Sequence, residues 1–286
     1  MTRLIDGLSD IADRYDVILS DVWGVIHNGR EAFPTPCAAL ARWRRERGPV
    51  VLISNSPRPS SAVQHQLDEL GVPREAWSAL VTSGDATRAI LAEYAPGPAW
   101  KIGPDRDAPL YEGLGLRFAP LGDARMIALT GPDDDEAETP EDYRERLEDA
   151  ARRKLPMVCA NPDIVVQRGD KLIYCGGALA QLYASLGGPV RMAGKPHAPI
   201  YTASLAEAGK LLGRPLDRKR VLCIGDGVVT DVKGAVDHRL DILFIAAGIH
   251  GDAARGPDGR FDPAKVQALL EPEKLTATFA TGELDW

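Results

Sequence analysis

The apolar positions of this chain come in short runs rich in β-branched residues, and amphipathic stretches separate them. Residues 15–26 (YDVILSDVWGVI) hold a first strand that ends near Asp21, and residues 49–54 (PVVLIS) read as a second. Residues 220–224 (RVLCI) and 241–246 (DILFIA) read as two more. Strands that are apolar along their whole length suit a parallel sheet covered on both faces. A helical pattern over residues 35–47 lies between the first two strands, and another, with Ser60 as its cap, covers 60–70. Helical residues 205–212 precede the strand around Val221, and 231–236 follow it. Strand and helix alternate, which predicts an α/β fold.

The middle of the chain has its own series. A helix is predicted over 83–94, with short strands at 100–102, 126–129 and 156–160. An acidic loop at 131–138 (GPDDDEAE) precedes a charged helix over 140–154, whose i,i+4 charges suit an exposed face. We read residues 85–189 as a second α/β unit inserted into the first, which takes 1–84 and 190–286. No period of 20–50 residues repeats, so a solenoid is not expected.

Composition narrows the function classes. The chain has 286 residues, 44% hydrophobic and 26% charged, which is ordinary for a globular protein with a sizeable core. Its longest apolar run, residues 172–180 (LIYCGGALA), is less than half of the roughly 20 residues that cross a bilayer, so no membrane span is expected. Asp6, Asp10 and Asp13 interrupt any signal-peptide core. The net charge of −7 gives no basic surplus for nucleic acid, and residues 42–47 (RWRRER) read as one solvated helix face. Cys37, Cys159, Cys175 and Cys223 form no C-x-x-C pair and read as buried small hydrophobes, natural in a reducing cytoplasm.

Four segments carry candidate chemistry. Asp21 ends the first strand before a glycine turn, where ligands gather in open parallel sheets; taken alone, it reads more readily as a cap of the next turn. Ser54-Asn55 end the second strand, and their hydroxyl and amide suit either phosphate oxygens or an ordinary turn. Lys195, in 194–197 (GKPH), suits a phosphate or a plain surface position. Residues 225–231 (GDGVVTD) set Asp226 and Asp231 around a glycine turn, and carboxylate oxygens are what Mg²⁺ prefers; Asp231 also stands where a helix cap belongs.

Taken in order, these segments resemble the motif series of the haloacid dehalogenase (HAD) superfamily. The chain is similar to class IIA members, the p-nitrophenyl phosphatase-like and sugar-phosphatase-like group with a C2-type cap. Residues 81–84 (VTSG), 160–163 (ANPD) and 176–179 (GGAL) add to the likeness. Only 33 residues separate Asp21 from Ser54, whereas 141 separate Ser54 from Lys195, so an inserted domain of about 100 residues fits only the second interval. The resemblance implies a Rossmann-like core with a C2-type cap that closes over the active site. It implies an Asp21 nucleophile that forms an aspartyl-phosphate. It also implies Mg²⁺ on Asp21, the Trp23 carbonyl and Asp226 with Asp231 in support, and phosphate held by Ser54 and Lys195, with Asn55 as a further donor.

The sequence departs from that pattern at Trp23. Phosphatases of the family place an Asp two residues after the nucleophile, which protonates the leaving group and then activates water. Indole does neither, since its N–H is a donor of negligible acidity. A slow phosphatase, one restricted to good leaving groups, and a non-catalytic binder of a phosphorylated metabolite all remain open. His27 is an alternative proton donor or a plain packing residue. A dehalogenase, whose family members carry an aromatic at this offset, is disfavoured by the short first interval and the intact Asp226 and Asp231. Asn161, Asp163 and Arg168, in residues 160–170 (ANPDIVVQRGD), are candidate substrate contacts, with turn formation as the other reading for the first two. The expected partner is a small phosphorylated metabolite, and analogy with the class suggests a homodimer.

Overall fold

The computed structural model describes residues 2–169, 171–256, 259 and 261–286. Its strands in chain order are β1 (Arg3–Leu4), β2 (Val17–Ser20), β3 (Val50–Ser54), β4 (Ala79–Thr82), β5 (Ala99–Ile102), β6 (Met126–Leu129), β7 (Met157–Cys159), β8 (Val165–Arg168), β9 (Lys171–Tyr174), β10 (Val190–Met192), β11 (Val221–Gly225), β12 (Asp241–Ile245) and β13 (Phe279–Thr281). The helices are α1 (Pro34–Glu46), α2 (Ser60–Glu69), α3 (Ser83–Ala92), α4 (Arg144–Arg152), α5 (Gly176–Ser185), α6 (Ala198–Leu212), α7 (Lys233–Asp237) and α8 (Pro263–Leu270). The chain packs as two compact units. The first takes Met1–Ser54, His65–Val81 and Tyr201–Trp286, and the second takes Asn55–Gln64 and Thr82–Ile200. The predicted inserted unit spans 85–189; the compact grouping also gathers 55–64, 82–84 and 190–200 into it.

The sheet of the first unit runs β1-β13-β12-β11-β2-β3-β4, and the pairs from β1 through β3 are parallel. Strands β2, β3 and β11 are buried at every position, and β12 at all but its first. That pattern is the physical meaning of their unbroken apolar runs, because neither face meets water. The α/β fold with a parallel sheet expected from the sequence is therefore present. Helix α1 opens on Pro34, suited to a first helical turn, and buries Cys37, Leu40 and Trp43. Arg42, Arg44 and Arg45 of the basic stretch point outward.

The second unit has a four-stranded parallel sheet, β10-β7-β6-β5, and a two-stranded antiparallel hairpin, β8-β9. Strand β6 alternates. Ile127 and Leu129 join a cluster with Tyr143, Leu147, Leu179 and Tyr183, while Met126 and Ala128 join one with Leu91, Leu110 and Tyr111. Helix α3 is capped by Thr82, whose hydroxyl accepts the Asp85 N–H. The charged stretch from 140 is a short 3₁₀ turn, Pro140–Tyr143, that continues into α4. All four cysteines are buried, and none of them is in a disulfide. Burial pushes the Cys37 thiol up to about 11 and the Cys159 thiol up to about 12, so both stay protonated at neutral pH. Among the described residues no helix is long and apolar enough to cross a membrane.

Candidate active site

Strand register builds the core of the site in the first unit. Ser20 of β2 stands opposite Ile224 of β11, and the Asp21 N–H donates to the Ile224 carbonyl at 2.8 Å. Asp21 and Asp226 therefore leave adjacent parallel strands at nearly the same level, at their carboxyl ends. Strand β3 pairs on the other side of β2, with Ser20 opposite Leu52, so Ser54 ends at that same edge. This is where open α/β sheets gather ligands.

Asp231 arrives by a different route. After Gly225 the chain makes a wide π-type turn, Val228–Val232, before α7 begins. Wide turns of this kind recur at functional sites. Here the turn folds Asp231 back, and its Oδ2 accepts the Gly227 N–H at 3.0 Å. Asp231 thus stands inside the turn and not at the N-cap of α7, which is Val232, and its carboxylate ties back onto the start of the turn. Asp21, Asp226 and Asp231 are all buried, and each offers an oxygen within 4.8 Å of the others. Three ionised carboxylates at such range repel, and a divalent cation that prefers hard oxygen ligands offsets the repulsion. The donor set fits Mg²⁺.

Two backbone segments wall Asp226. A Cβ at Gly24, whose φ is +75°, would stand 2.0 Å from Asp226 Oδ2, and one at Gly248 would stand 2.1 Å from the same atom. The Ile249 N–H donates to that oxygen at 2.7 Å. This loop after β12 is absent from the sequence reading, and its only signal there is a glycine shortly after an apolar strand. Burial pulls the His250 imidazole below its ordinary pKa, while a hydrogen bond with the Asp226 backbone acts in the opposite sense.

Trp23 is half-buried. Its indole packs on the Gly29 backbone and stands edge-on to His27, with ring centroids 4.9 Å apart. His27 is fully buried, and its Nδ1 accepts the Gly29 N–H at 2.9 Å. The ring thus braces the loop that carries Trp23.

The remaining predicted residues belong to the second unit. Asn55 and Lys195 are buried and hydrogen-bonded to one another, and the Asn55 amide also donates to Asp163 at 2.8 Å. Asn161 Oδ1 accepts the Asp163 N–H at 3.1 Å, which shapes the 161–163 turn. Arg168 makes a two-pronged contact with Asp135 at 2.7 and 3.2 Å, and Arg106 pairs with the same carboxylate. Burial alone pushes the Asp135 carboxyl up, but the Arg168 and Arg106 guanidiniums outweigh it and hold the group below the usual carboxylate range. Asp170, at the end of the 160–170 segment, lies outside the described residues.

Comparison with known proteins identifies the family of the chain. Residues 18–117 match a family described as haloacid dehalogenase-like hydrolase, and residues 192–270 match a HAD-hydrolase-like family. A haloacid dehalogenase-like hydrolase from Brucella suis 1330 has a solved structure that is 45% identical, with a TM-score of 0.87, over 98% of this chain and 100% of that one. The chain belongs to the haloacid dehalogenase-like hydrolase family. Within the family it is similar to the D-glycerol 3-phosphate phosphatase of Mycobacterium tuberculosis, at 26% identity over 85% of this chain. The match spans 66% of that enzyme's length. The fold also matches a solved glycerol phosphate phosphatase from the same organism, in complex with magnesium, with a TM-score of 0.63 and 24% identity. That likeness covers 96% of this haloacid dehalogenase-like chain and 77% of the other.

Proposed function

We propose that the chain is a Mg²⁺-dependent phosphatase that acts on a small phosphomonoester through an aspartyl-phosphate at Asp21. The reading is carried by one observation, the convergence of the buried Asp21, Asp226 and Asp231 carboxylates at the carboxyl edge of a parallel sheet. The similarity to a D-glycerol 3-phosphate phosphatase supports a small phosphorylated substrate, and the magnesium complex of a related fold supports the metal. The ligands would be the Asp21 and Asp226 carboxylates and the Trp23 backbone carbonyl, with Asp231 in support. When bound, Mg²⁺ offsets phosphate charge and orients the group for in-line attack.

Asp21 performs the covalent step. One of its oxygens bonds to phosphorus as the bond from phosphorus to the leaving oxygen breaks, and water later attacks the same phosphorus to release phosphate and restore the carboxylate. The Ser54 hydroxyl donates to a phosphate oxygen, and the Lys195 ammonium stabilises the developing charge. Residues 85–189 are proposed as a C2-type cap, with Asn161 and Asp163 as its candidate substrate contacts. Trp23 leaves the leaving group without its usual proton donor, and general acid–base catalysis typically contributes ~10²–10⁴-fold. Turnover should therefore be slow on alkyl esters and faster on esters whose leaving group needs no proton. The same residue favours a second reading, a protein that binds a phosphorylated metabolite without turning it over.

A panel of phosphomonoesters at high protein concentration tests both. Phosphate release that requires Mg²⁺, stops in EDTA and vanishes in Asp21→Asn is the expected result. Mg²⁺-dependent ligand binding without phosphate release favours the sensor, and EDTA-resistant halide release from a 2-haloacid favours a dehalogenase.

A further inference from the structure

Lys195 sits in a turn, residues 194–197, closed by the His197 N–H on the Gly194 carbonyl at 2.8 Å. The side chain of Asn55 grips both peptide groups of Lys195. Its Oδ1 accepts the Lys195 N–H at 2.7 Å, and its Nδ2 donates to the Lys195 carbonyl at 3.2 Å. Nδ2 also donates to Asp163 Oδ1 at 2.8 Å. The partners fix which way the amide points. A backbone N–H only donates and an ionised carboxylate only accepts, so a flipped amide would oppose both. The fit is close, since a Cβ at Gly194 would stand 2.6 Å from Asn55 Oδ1 and 2.4 Å from Ser83 Oγ. Asp163 is itself anchored, with its N–H on Asn161 Oδ1 and its carbonyl accepting the Gly177 N–H at 3.0 Å.

We infer that Asn55 and Asp163 are positioning residues for Lys195: the amide clamps the lysine backbone, and the carboxylate holds the amide in the one orientation that can do so. The inference rests on the proposed role of Lys195 at the phosphate. It gives Asn55 a task other than direct phosphate donation, because both Nδ2 hydrogens are already directed at Lys195 and Asp163. It gives Asp163 a task other than substrate contact, as the acceptor that orients Asn55. The energetic logic is preorganisation. A lysine held at its backbone loses little further freedom when its ammonium meets an anion, and a displacement of about 1 Å at such a group can cost ~10²-fold in rate.

A donor–acceptor swap tests the clamp. Asn55→Asp sets a carboxylate against the Asp163 carboxylate. Combining it with Asp163→Asn restores a complementary pair with its direction reversed, while an oxygen at position 55 can still accept the Lys195 N–H. The first readout is hydrogen exchange of the Lys195 amide by NMR in the full chain, which needs no turnover. It should speed up in N55D and return towards wild type in N55D/D163N. The second is kcat/KM for the best phosphomonoester, which should fall ~10²-fold in N55D and recover most of that in the double variant. If N55D does not fold, Asn55→Ala carries the same comparison with wild type. The inference is overturned if Lys195 amide exchange is unchanged in N55D or Asn55→Ala. It is equally overturned if the double variant stays as impaired as N55D with normal exchange, the pattern of direct phosphate contact. A wild-type protein that releases phosphate from no ester defeats the phosphatase reading, and the exchange readout still decides the clamp.

Discussion

Two residues after Asp21, an indole occupies the position where the family's phosphatases carry their general acid. Trp23 cannot exchange protons, and its neighbour His27 is fully buried with Nδ1 accepting the Gly29 N–H, an arrangement that braces the loop. In the proposed phosphatase this local chemistry would put the whole burden of leaving-group departure on the substrate. Trp23→Asp restores a carboxyl at the right offset. It should raise phosphate release from an alkyl phosphate such as glycerol phosphate by up to ~10²–10⁴-fold. It should change p-nitrophenyl phosphate hydrolysis much less, because that leaving group departs as a stable anion. The ratio of the two rates in variant and wild type is the measurement, and an equal change on both substrates sinks the account of Trp23.

At the scale of elements, the acidic cluster depends on how close two loops come to one side chain. The turn after β2 and the loop after β12 both press on Asp226, and the second does so through Gly248 and the Ile249 N–H. Gly248 does not have a left-handed backbone, so Gly248→Ala acts through space alone. The added methyl must displace the Asp226 carboxylate and should weaken Mg²⁺ binding ~10–100-fold, the usual effect of disturbing groups that orient a metal ligand. Calorimetric titration with Mg²⁺ reads this directly. Gly209→Ala, on α6 with open space around its Cβ, is the control and should leave the affinity unchanged. The acidic loop at 131–138 teaches a related lesson. Its acidic side chains find partners brought by other segments: Asp135 binds Arg106 and Arg168, and Glu138 accepts from the Tyr143 hydroxyl at 2.5 Å.

At the scale of the molecule, the proposed metal site predicts that the stability of the first unit, with its three clustered carboxylates, responds to a counter-ion. Mg²⁺ at about 100 times its dissociation constant should add roughly 2.7 kcal/mol to the folded state, which corresponds to an increase of about 5–10 °C in Tm for a unit of this size. A thermal melt with and without Mg²⁺ measures the shift, and Asp226→Asn should abolish it. A shift that survives in Asp226→Asn places the ion elsewhere. The sequence by itself determined the strands around Val17–Ser20, Val50–Ser54, Val221–Gly225 and Asp241–Ile245, because a strand buried on both faces must be apolar throughout. It also singled out Asp21 and Asp226, because each stands just past such a run. It missed the β8-β9 hairpin and α5, since the apolar run 172–180 passes without a break from strand into helix at Cys175, and hydrophobicity alone cannot separate a buried strand from a buried helix. Only the tertiary structure decided that Asp21 and Asp226 share one level of the sheet, that Asp231 folds back onto the Gly227 N–H, and that Asn55 spends its amide on Lys195 and Asp163. Those pairings join residues up to about 200 positions apart. They are set by strand register and loop approach, and neither leaves a local trace in composition or periodicity.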